Sequence, residues 1–379
     1  ASQRRLFYGG INVYLQQKLA LFRRTPWWFD ALLNRPGLIQ WLASRGNSTD
    51  ATGLGDLTVS MLQGESGRQR KELDKLVQWL ADDVRPDVVH LSNVMLLGMA
   101  RRIREALNVP VVCSLSGEDI FLEKLRQPYY DQARQLLRER ASDAAAFVAL
   151  NRYFADFMTD YMDLPKDKVQ VIRHGLDLTG HGTRASIDDQ PFTIGYLARI
   201  CPEKGLHHLV DAFCELCADD ALPPLLLRAA GYLGAGDRDY LQQTQQRLAA
   251  RGLSDRFVYA GELDRNGKIS FLQSMDVMSL PTVYHESKGL PLIEAMANAV
   301  PVVVPAHGTW PELIELTGGG ILVEPDDIGS LAAGLKRMIL DAELRGQCGA
   351  AGQQAVREQF TAQRMAQETR ALYEQLVGS

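Results

Sequence analysis

Long hydrophobic runs are missing from this chain of 379 residues. No apolar stretch approaches the ~18–20 residues that a membrane-spanning helix needs, and the 290–305 region is broken by Glu294 and Asn298. A surplus of positive charge is missing too. The formal net charge is −5, whereas a dedicated nucleic-acid binder usually carries a basic excess that neutralises phosphates. Cysteine is scarce and odd in number, at five, which suits a reducing compartment rather than a disulfide framework. Cys214 and Cys217 alone have the C-x-x-C spacing, late in the amphipathic stretch 207–218 that opens with His207 and His208. A metal site would need about four converging ligands, and a redox dithiol favours a helix N-terminus. Two small apolar residues on a helix is the simpler reading. No apolar signal segment follows Ala1-Ser-Gln-Arg-Arg5. These absences predict a soluble, cytoplasmic protein that is not a dedicated nucleic-acid binder.

What is present is a rhythm. From residue 57 onward, short runs of Val, Ile and Leu alternate with longer amphipathic stretches. Residues 57–62, 87–91, 109–115, 145–150 and 169–172 read as buried parallel strands, separated by helical patterns at 69–81, 96–107 and 129–140. Residues 179–191 break the pattern with a polar, Gly-containing connection. Strands resume at 192–197, 225–229, 256–260, 276–280, 300–304 and 320–323, and 331–377 is helical. At this length a single core stops growing, so two domains are expected: 1–178, then the linker 179–191, then 192–355. A C-terminal helix, 356–379, is expected to cross back to the first domain. Strand–helix alternation makes each domain an open parallel sheet with helices on both faces. Ligands of such sheets lie beyond the carboxyl ends of the strands, and two sheets would face each other across a cleft.

The charge is uneven, with 24 Lys+Arg against 21 Asp+Glu in residues 1–180, leaving 17 against 25 in the rest. The mildly basic first half suits an anionic ligand or membrane surface. Gly9-Gly10 precedes the helical stretch 12–22, the turn-and-helix arrangement for holding an anion. The strand that should lead into it is absent, so the first strand is expected to be missing from the sequence. Leu21-Phe-Arg-Arg-Thr-Pro-Trp-Trp-Phe29 is basic and aromatic; it suits a membrane interface or an acceptor, or else a helix boundary at Pro26 with the Trp pair packed inward.

Three segments of the second half carry chemistry. In Ile194-Gly-Tyr-Leu-Ala-Arg-Ile-Cys-Pro-Glu-Lys-Gly205, Arg199 and Lys204 flank a loop between a strand and a helix. Two cations there would neutralise a diphosphate; a solvated basic loop is the competing reading. In Pro281-Thr-Val-Tyr-His-Glu-Ser-Lys-Gly-Leu-Pro-Leu-Ile-Glu-Ala-Met-Ala297, seven residues separate Glu286 from Glu294. Gly289 permits close backbone approach and Pro291 suits a first helical turn. Glu286 is thus expected in the loop and Glu294 in the first turn, where a carboxylate could take two ribose hydroxyls. Backbone N–H groups over 287–290 would face an anion. Pro301–Leu313 reads as strand, Gly308 turn and helix. Gly231-Tyr-Leu-Gly-Ala-Gly236 lacks the G-x-G-x-x-G spacing of a dinucleotide fingerprint, which counts against an oxidoreductase.

Together these segments resemble glycosyltransferase family 4 (glycosyl transferases group 1), retaining enzymes of the GT-B fold. The E-x7-E motif with Ala295-Met-Ala297 and the Val-rich strand matches over 286–304. Leu197-Ala-Arg199 with Lys204-Gly205 is similar to the family's phosphate loop, and Gly9-Gly10 to its N-terminal glycine loop. Val171-Ile-Arg-His-Gly-Leu-Asp177 is similar to the segment before the linker, with His174 in place of Asn. The resemblance implies two Rossmann-like domains and transfer of a sugar from a nucleoside diphosphate sugar to an unidentified acceptor. It needs no cofactor, and a nucleotide sugar is the expected partner. Arg199 and Lys204 would hold the diphosphate, Glu294 the ribose, and Glu286 with the backbone of Gly289 and Leu290 the donor sugar. Gly10 would let the first domain's loop reach the reacting centre. Metal independence follows because cations and helix dipoles take over the charge, and no Asp-x-Asp stands in a suitable loop. Peripheral contact with the inner membrane face is a further expectation. One departure is clear: Ser116 stands where many members carry His. A hydroxyl hydrogen-bonds a sugar but does not titrate near neutrality. Ser116, Glu118 and Asp119 are therefore candidates to line a sugar or acceptor pocket, or the two acids cap the following helix. A catalytically weak nucleotide-sugar-binding protein and a GT-B-type epimerase are the rival readings.

Overall fold

The computed structural model describes residues 16–17, 51–182 and 191–378, with side chains from residue 54 in the second stretch. Gly9, Gly10 and the 21–29 cluster lie outside the described residues. The chain divides into two compact units, Ala1–Ile172 with Thr369–Ser379, and Arg173–Glu368.

The first unit opens with a correction. Residues 57–62, expected as a strand, form the end of helix α1, Ala51–Leu62. Of its buried positions, Gly55, Thr58, Val59 and Leu62 recur at spacings of three, one and three, which is one face of a helix, and Ser60 borders that face. Six apolar-rich residues were too short a window to separate that period from a buried strand. Helix α2, Arg70–Trp79, leads through a π turn, Leu80–Val84, to strand β1, Val89–Leu91. The helix expected over 96–107 begins as a 3-10 segment, Val94–Met99, and becomes α3, Ala100–Leu107. The cause is close packing: a β-carbon on Gly98 would overlap the carbonyl oxygen of Met61. Strand β2, Val111–Leu115, is followed by α4, Asp119–Leu122, and α5, Tyr129–Ala141. Strand β3, Ala146–Ala149, helix α6, Arg152–Met162, and strand β4, Val169–Val171, complete a parallel sheet in the order β1-β2-β3-β4. Phe147, Phe154, Leu115 and Leu137 fill the core beneath it.

The second unit has six parallel strands, in the order β10-β9-β8-β5-β6-β7. They are β5 (Phe192–Leu197), β6 (Leu225–Ala230), β7 (Phe257–Tyr259), β8 (Val277–Ser279), β9 (Val302–Pro305) and β10 (Gly320–Val323). Between them run α7 (Leu206–Cys217), α8 (Arg238–Ala249), α9 (Arg265–Gln273), α10 (Leu290–Ala297) and α11 (Trp310–Thr317). Near-continuous apolar strands such as Val302-Val-Val304, fully buried, are what a sheet covered on both faces requires. Helices α12 (Ile328–Leu340), α13 (Ala342–Gln359) and α14 (Ala362–Val377) follow. The terminal helix is thus two helices, interrupted at Phe360 and Thr361. Leu176 explains the break, since its N–H donates to the Phe360 carbonyl and its carbonyl accepts from the Ala362 N–H. These bonds place 173–178, expected in the first domain, with the second unit. The last residues of α14 belong to the first unit, where the Tyr373 hydroxyl lies 2.6 Å from His90 Nδ1. Among the described residues no helix is long and apolar enough to cross a membrane.

Candidate active site

Strand order in the second unit reverses at β5, which pairs with β6 on one side and β8 on the other. The carboxyl ends at such a switch point are where an open α/β sheet leaves room for a ligand. The loops that leave β5 and β8 there carry Arg199, Lys204 and Glu286.

Two features bolt these loops together. Gly205 has φ +73°, and a β-carbon there would overlap the carbonyl oxygen of Pro281, so glycine alone lets the backbones meet. The N–H of Val283 then donates to the Glu203 carbonyl at 3.0 Å. As a result the Lys204 ammonium reaches Glu286 Oε2 at 2.6 Å and also donates to the Tyr284 hydroxyl. Tyr284 in turn donates to Glu286 Oε2 at 2.6 Å, and the Lys288 N–H donates to Oε1 at 3.3 Å. Both carboxylate oxygens of this buried residue are engaged. Ammonium has three N–H donors; two of Lys204's are spent here, and among the described residues nothing takes the third. Arg199 donates its Nε to Cys201 Sγ at 3.3 Å. Its terminal nitrogens have no partner among the described residues, and the side chain is exposed. A two-pronged guanidinium and one ammonium proton are therefore free for an anion.

Burial alone would raise the Glu286 carboxyl, but the Lys204 ammonium and the Tyr284 hydroxyl outweigh it and hold it below the usual 4.5. Burial, with the Glu286 charge, pushes the Tyr284 phenol far up, so it stays a neutral donor. A carboxyl lowered by folding contributes stability above its unfolded value and loses it as pH falls through its folded value. The melting-temperature advantage of the parent over Glu286→Gln is expected to be full at neutral pH and to shrink below pH 4.5. An advantage that persists unchanged to about pH 3 would contradict the pairing.

Gly289, φ +79°, immediately precedes helix α10, which has no side-chain cap. Its first N–H groups, near Leu290, thus face outward with the positive end of the helix dipole. Glu294, expected in the first turn, is the fifth residue of this helix and sits in the second turn, buried. Its Oε1 accepts from Lys268 of α9, and Oε2 has no partner among the described residues. Gly308, φ +60°, lets the β9–α11 turn pack on the Glu286 backbone, whose carbonyl accepts from the Thr309 N–H at 2.8 Å.

In the first unit, Glu118 is buried and does not cap its own helix. It accepts from Ser116 N and Ser116 Oγ, each at 2.8 Å, and from the Val94 N–H at 3.2 Å. Asp119 Oδ1 is buried with no partner among the described residues. Burial, with the Glu118 charge, raises the Asp119 carboxyl. His174, in the second unit, is kept toward the neutral form by burial and by the Lys288 charge. Cys217 ends α7 and Cys214 lies one turn earlier. Among the described residues no three His, Cys, Asp or Glu converge as metal ligands would.

Residues 183–355 match the family described as glycosyl transferases group 1, and residues 58–179 match Glycosyltransferase Family 4. The chain is a group 1 glycosyltransferase. Sugar transfer is accordingly its activity, and its two parallel-sheet units and helical C-terminal region are those of the GT-B fold. An uncharacterized glycosyltransferase of Methanocaldococcus jannaschii is 25% identical over 84% of this chain and 80% of its own. The phosphatidyl-myo-inositol mannosyltransferase of Mycobacterium tuberculosis is 31% identical over 57% of this chain and 56% of its own. The solved Anabaena protein HepE, in complex with UDP, is 20% identical with a TM-score of 0.70, over 83% of this chain and 85% of its own.

The glycosyltransferase brings Lys204 and Glu286 into direct contact and sets Arg199 on the same loop as Lys204. Glu294 stands in the second turn of α10, the helix that follows the Glu286 loop. Tyr284 and Lys268 were missed by sequence reasoning. Tyr284 lies two residues before Glu286 and was legible as a neighbour; Lys268 is 26 residues from Glu294 and carried no signal.

Proposed function

We propose that this glycosyltransferase takes its sugar from a nucleoside diphosphate donor and transfers it with retention of anomeric configuration. The observation that carries the reading is the Arg199 and Lys204 pair beside the uncapped start of α10, a positive site with donors to spare at the strand ends. The UDP complex of HepE, a structure of the same fold, supports it. Arg199 and Lys204 hold the diphosphate, and Glu294 offers its unpaired oxygen to the ribose. Glu286 meets a hydroxyl of the donor sugar from a fixed position.

Retention is what the resemblance to glycosyltransferase family 4 implies, and the bonds on Glu286 speak against a covalent glycosyl–enzyme intermediate as its route. With Oε2 held by Lys204 and Tyr284 and Oε1 by the Lys288 N–H, it is poorly placed to swing as a nucleophile. The step then proceeds on one face: the sugar C1–phosphate oxygen bond breaks, and the acceptor oxygen bonds C1 from the side of departure. The acceptor proton passes to the departing phosphate oxygen, whose charge Arg199 and Lys204 stabilise. These cations do the work a divalent metal does elsewhere, so turnover is expected to survive excess chelator. Loss of activity on chelation, restored by magnesium or manganese, would refute that independence.

For the acceptor, Glu118 is committed to Ser116 and Val94, which leaves the unpartnered Asp119 Oδ1 to meet a hydroxyl. The basic and aromatic 21–29 segment is proposed as the contact with a membrane surface or acceptor. The donor reading is tested by melting the full chain with UDP, GDP, ADP and their sugar conjugates. A ligand at 100 times its dissociation constant adds about 2.7 kcal/mol. No shift with any of them would overturn the reading.

A further inference from the structure

We infer that Tyr232 is the platform on which the donor's nucleobase stacks. The inference rests on the nucleoside diphosphate reading above and names a residue that sequence motifs did not single out.

Tyr232 is 55% exposed, and among the described residues it is the one exposed Phe, Tyr or Trp. A lone apolar side chain in water is ordinary; its place is what gives this one meaning. Tyr232 is the second residue after β6, and the backbone there is held from both sides. Its carbonyl accepts from the Ile200 N–H at 2.9 Å, on the loop that carries Arg199. One residue earlier, the Gly231 N–H donates to the Gly261 carbonyl at 2.9 Å, on the loop after β7. The Gly231 carbonyl accepts from the Tyr259 hydroxyl at 2.7 Å. Gly231 has φ +141°, and a β-carbon there would overlap the Ala198 carbonyl oxygen. Glycine is therefore required for β6 to end this close to the Arg199 loop. The ring that comes next stands on a fixed main chain with its face left to solvent.

The sheet order says what that face would meet. The diphosphate lies over the ends of β5 and β8. The ribose carboxylate, Glu294 of α10, is met by Lys268 of α9, the helix that follows β7. A nucleotide that runs from the first point past the second carries its base toward the loops after β6 and β7. Those are the loops joined at Gly231 and Gly261. A phenol ring there stacks on any base, giving affinity rather than base identity.

Calorimetric titration of the full chain with UDP, GDP, ADP and inorganic pyrophosphate tests this. Tyr232→Ala should weaken the tightest of the three nucleotides by about 5- to 100-fold and leave pyrophosphate unchanged. Tyr232→Phe, which keeps the ring, should bind that nucleotide within about twofold of the parent. Equal loss of pyrophosphate binding, or undiminished nucleotide binding, in Tyr232→Ala would remove Tyr232 from the site. A parent protein that binds pyrophosphate as well as every nucleotide would instead overturn the donor reading, and the platform with it.

Discussion

Lys204→Ala is expected to cost about 3–5 kcal/mol of stability, the usual penalty for orphaning one member of a buried ion pair. The Lys204 side chain is 18% exposed and that of Glu286 7%, so water can do little for the carboxylate left behind. Tyr284 remains as a donor but carries no charge. For a unit of this size the loss corresponds to a fall of roughly 6–20 °C in melting temperature. The double variant Lys204→Ala, Glu286→Gln removes both charges and is expected to recover much of that loss. Nucleoside diphosphate binding should stay weak in both variants, because the phosphate donor is gone from each. A single variant that melts with the parent would show that the two side chains are not paired in solution. A double variant that binds nucleotide normally would show that the pair is structural and nothing more.

Glu286→Gln is expected to lower turnover on the order of 10²-fold while leaving free nucleoside diphosphate binding nearly intact. In the proposed role the carboxylate meets the sugar, which free nucleotide lacks. Arg199 and Lys204, the proposed phosphate ligands, are untouched by the change. Glutamine can still accept from Lys204 and Tyr284, so the loop should keep its path. What it loses is the negative charge that, in the proposed role, faces a sugar ring becoming positive as the phosphate departs. Steady-state rates with the donor identified by melting, beside titration with the free nucleotide, separate these effects. Unchanged turnover would place Glu286 in the scaffold of the loop.

Much of this was open to reading in the sequence, and the exceptions have physical causes. Arg199, Lys204 and Glu286 lie in short segments where strand, glycine and helix follow at fixed spacing. Local order there dictates where each side chain stands. Glu294 was placed one turn early because Pro291 was taken to mark the start of a turn that includes it; the helix starts at Leu290, and Glu294 is its fifth residue. Lys268 was invisible because it meets Glu294 across α9 and α10, through packing that no local pattern encodes. Glu118 was read as a cap or a pocket residue. It does not cap its helix, and its carboxylate ties the end of β2 to the 3-10 segment at Val94, a long-range contact. Residues 57–62 failed as a strand because helix and strand share the same apolar letters over so short a run.

The two carboxylates of the E-x7-E pair offer the most direct test of the donor site. Calorimetry on Glu294→Gln and Glu286→Gln, each titrated with one nucleoside diphosphate and its sugar conjugate, should give two different patterns. Glu294→Gln is expected to weaken both ligands alike, because both contain the ribose. Glu286→Gln is expected to spare the nucleotide and weaken only the conjugate. Matching profiles for the two variants, with both proteins merely less stable, would contradict the assignment of ribose to Glu294 and sugar to Glu286.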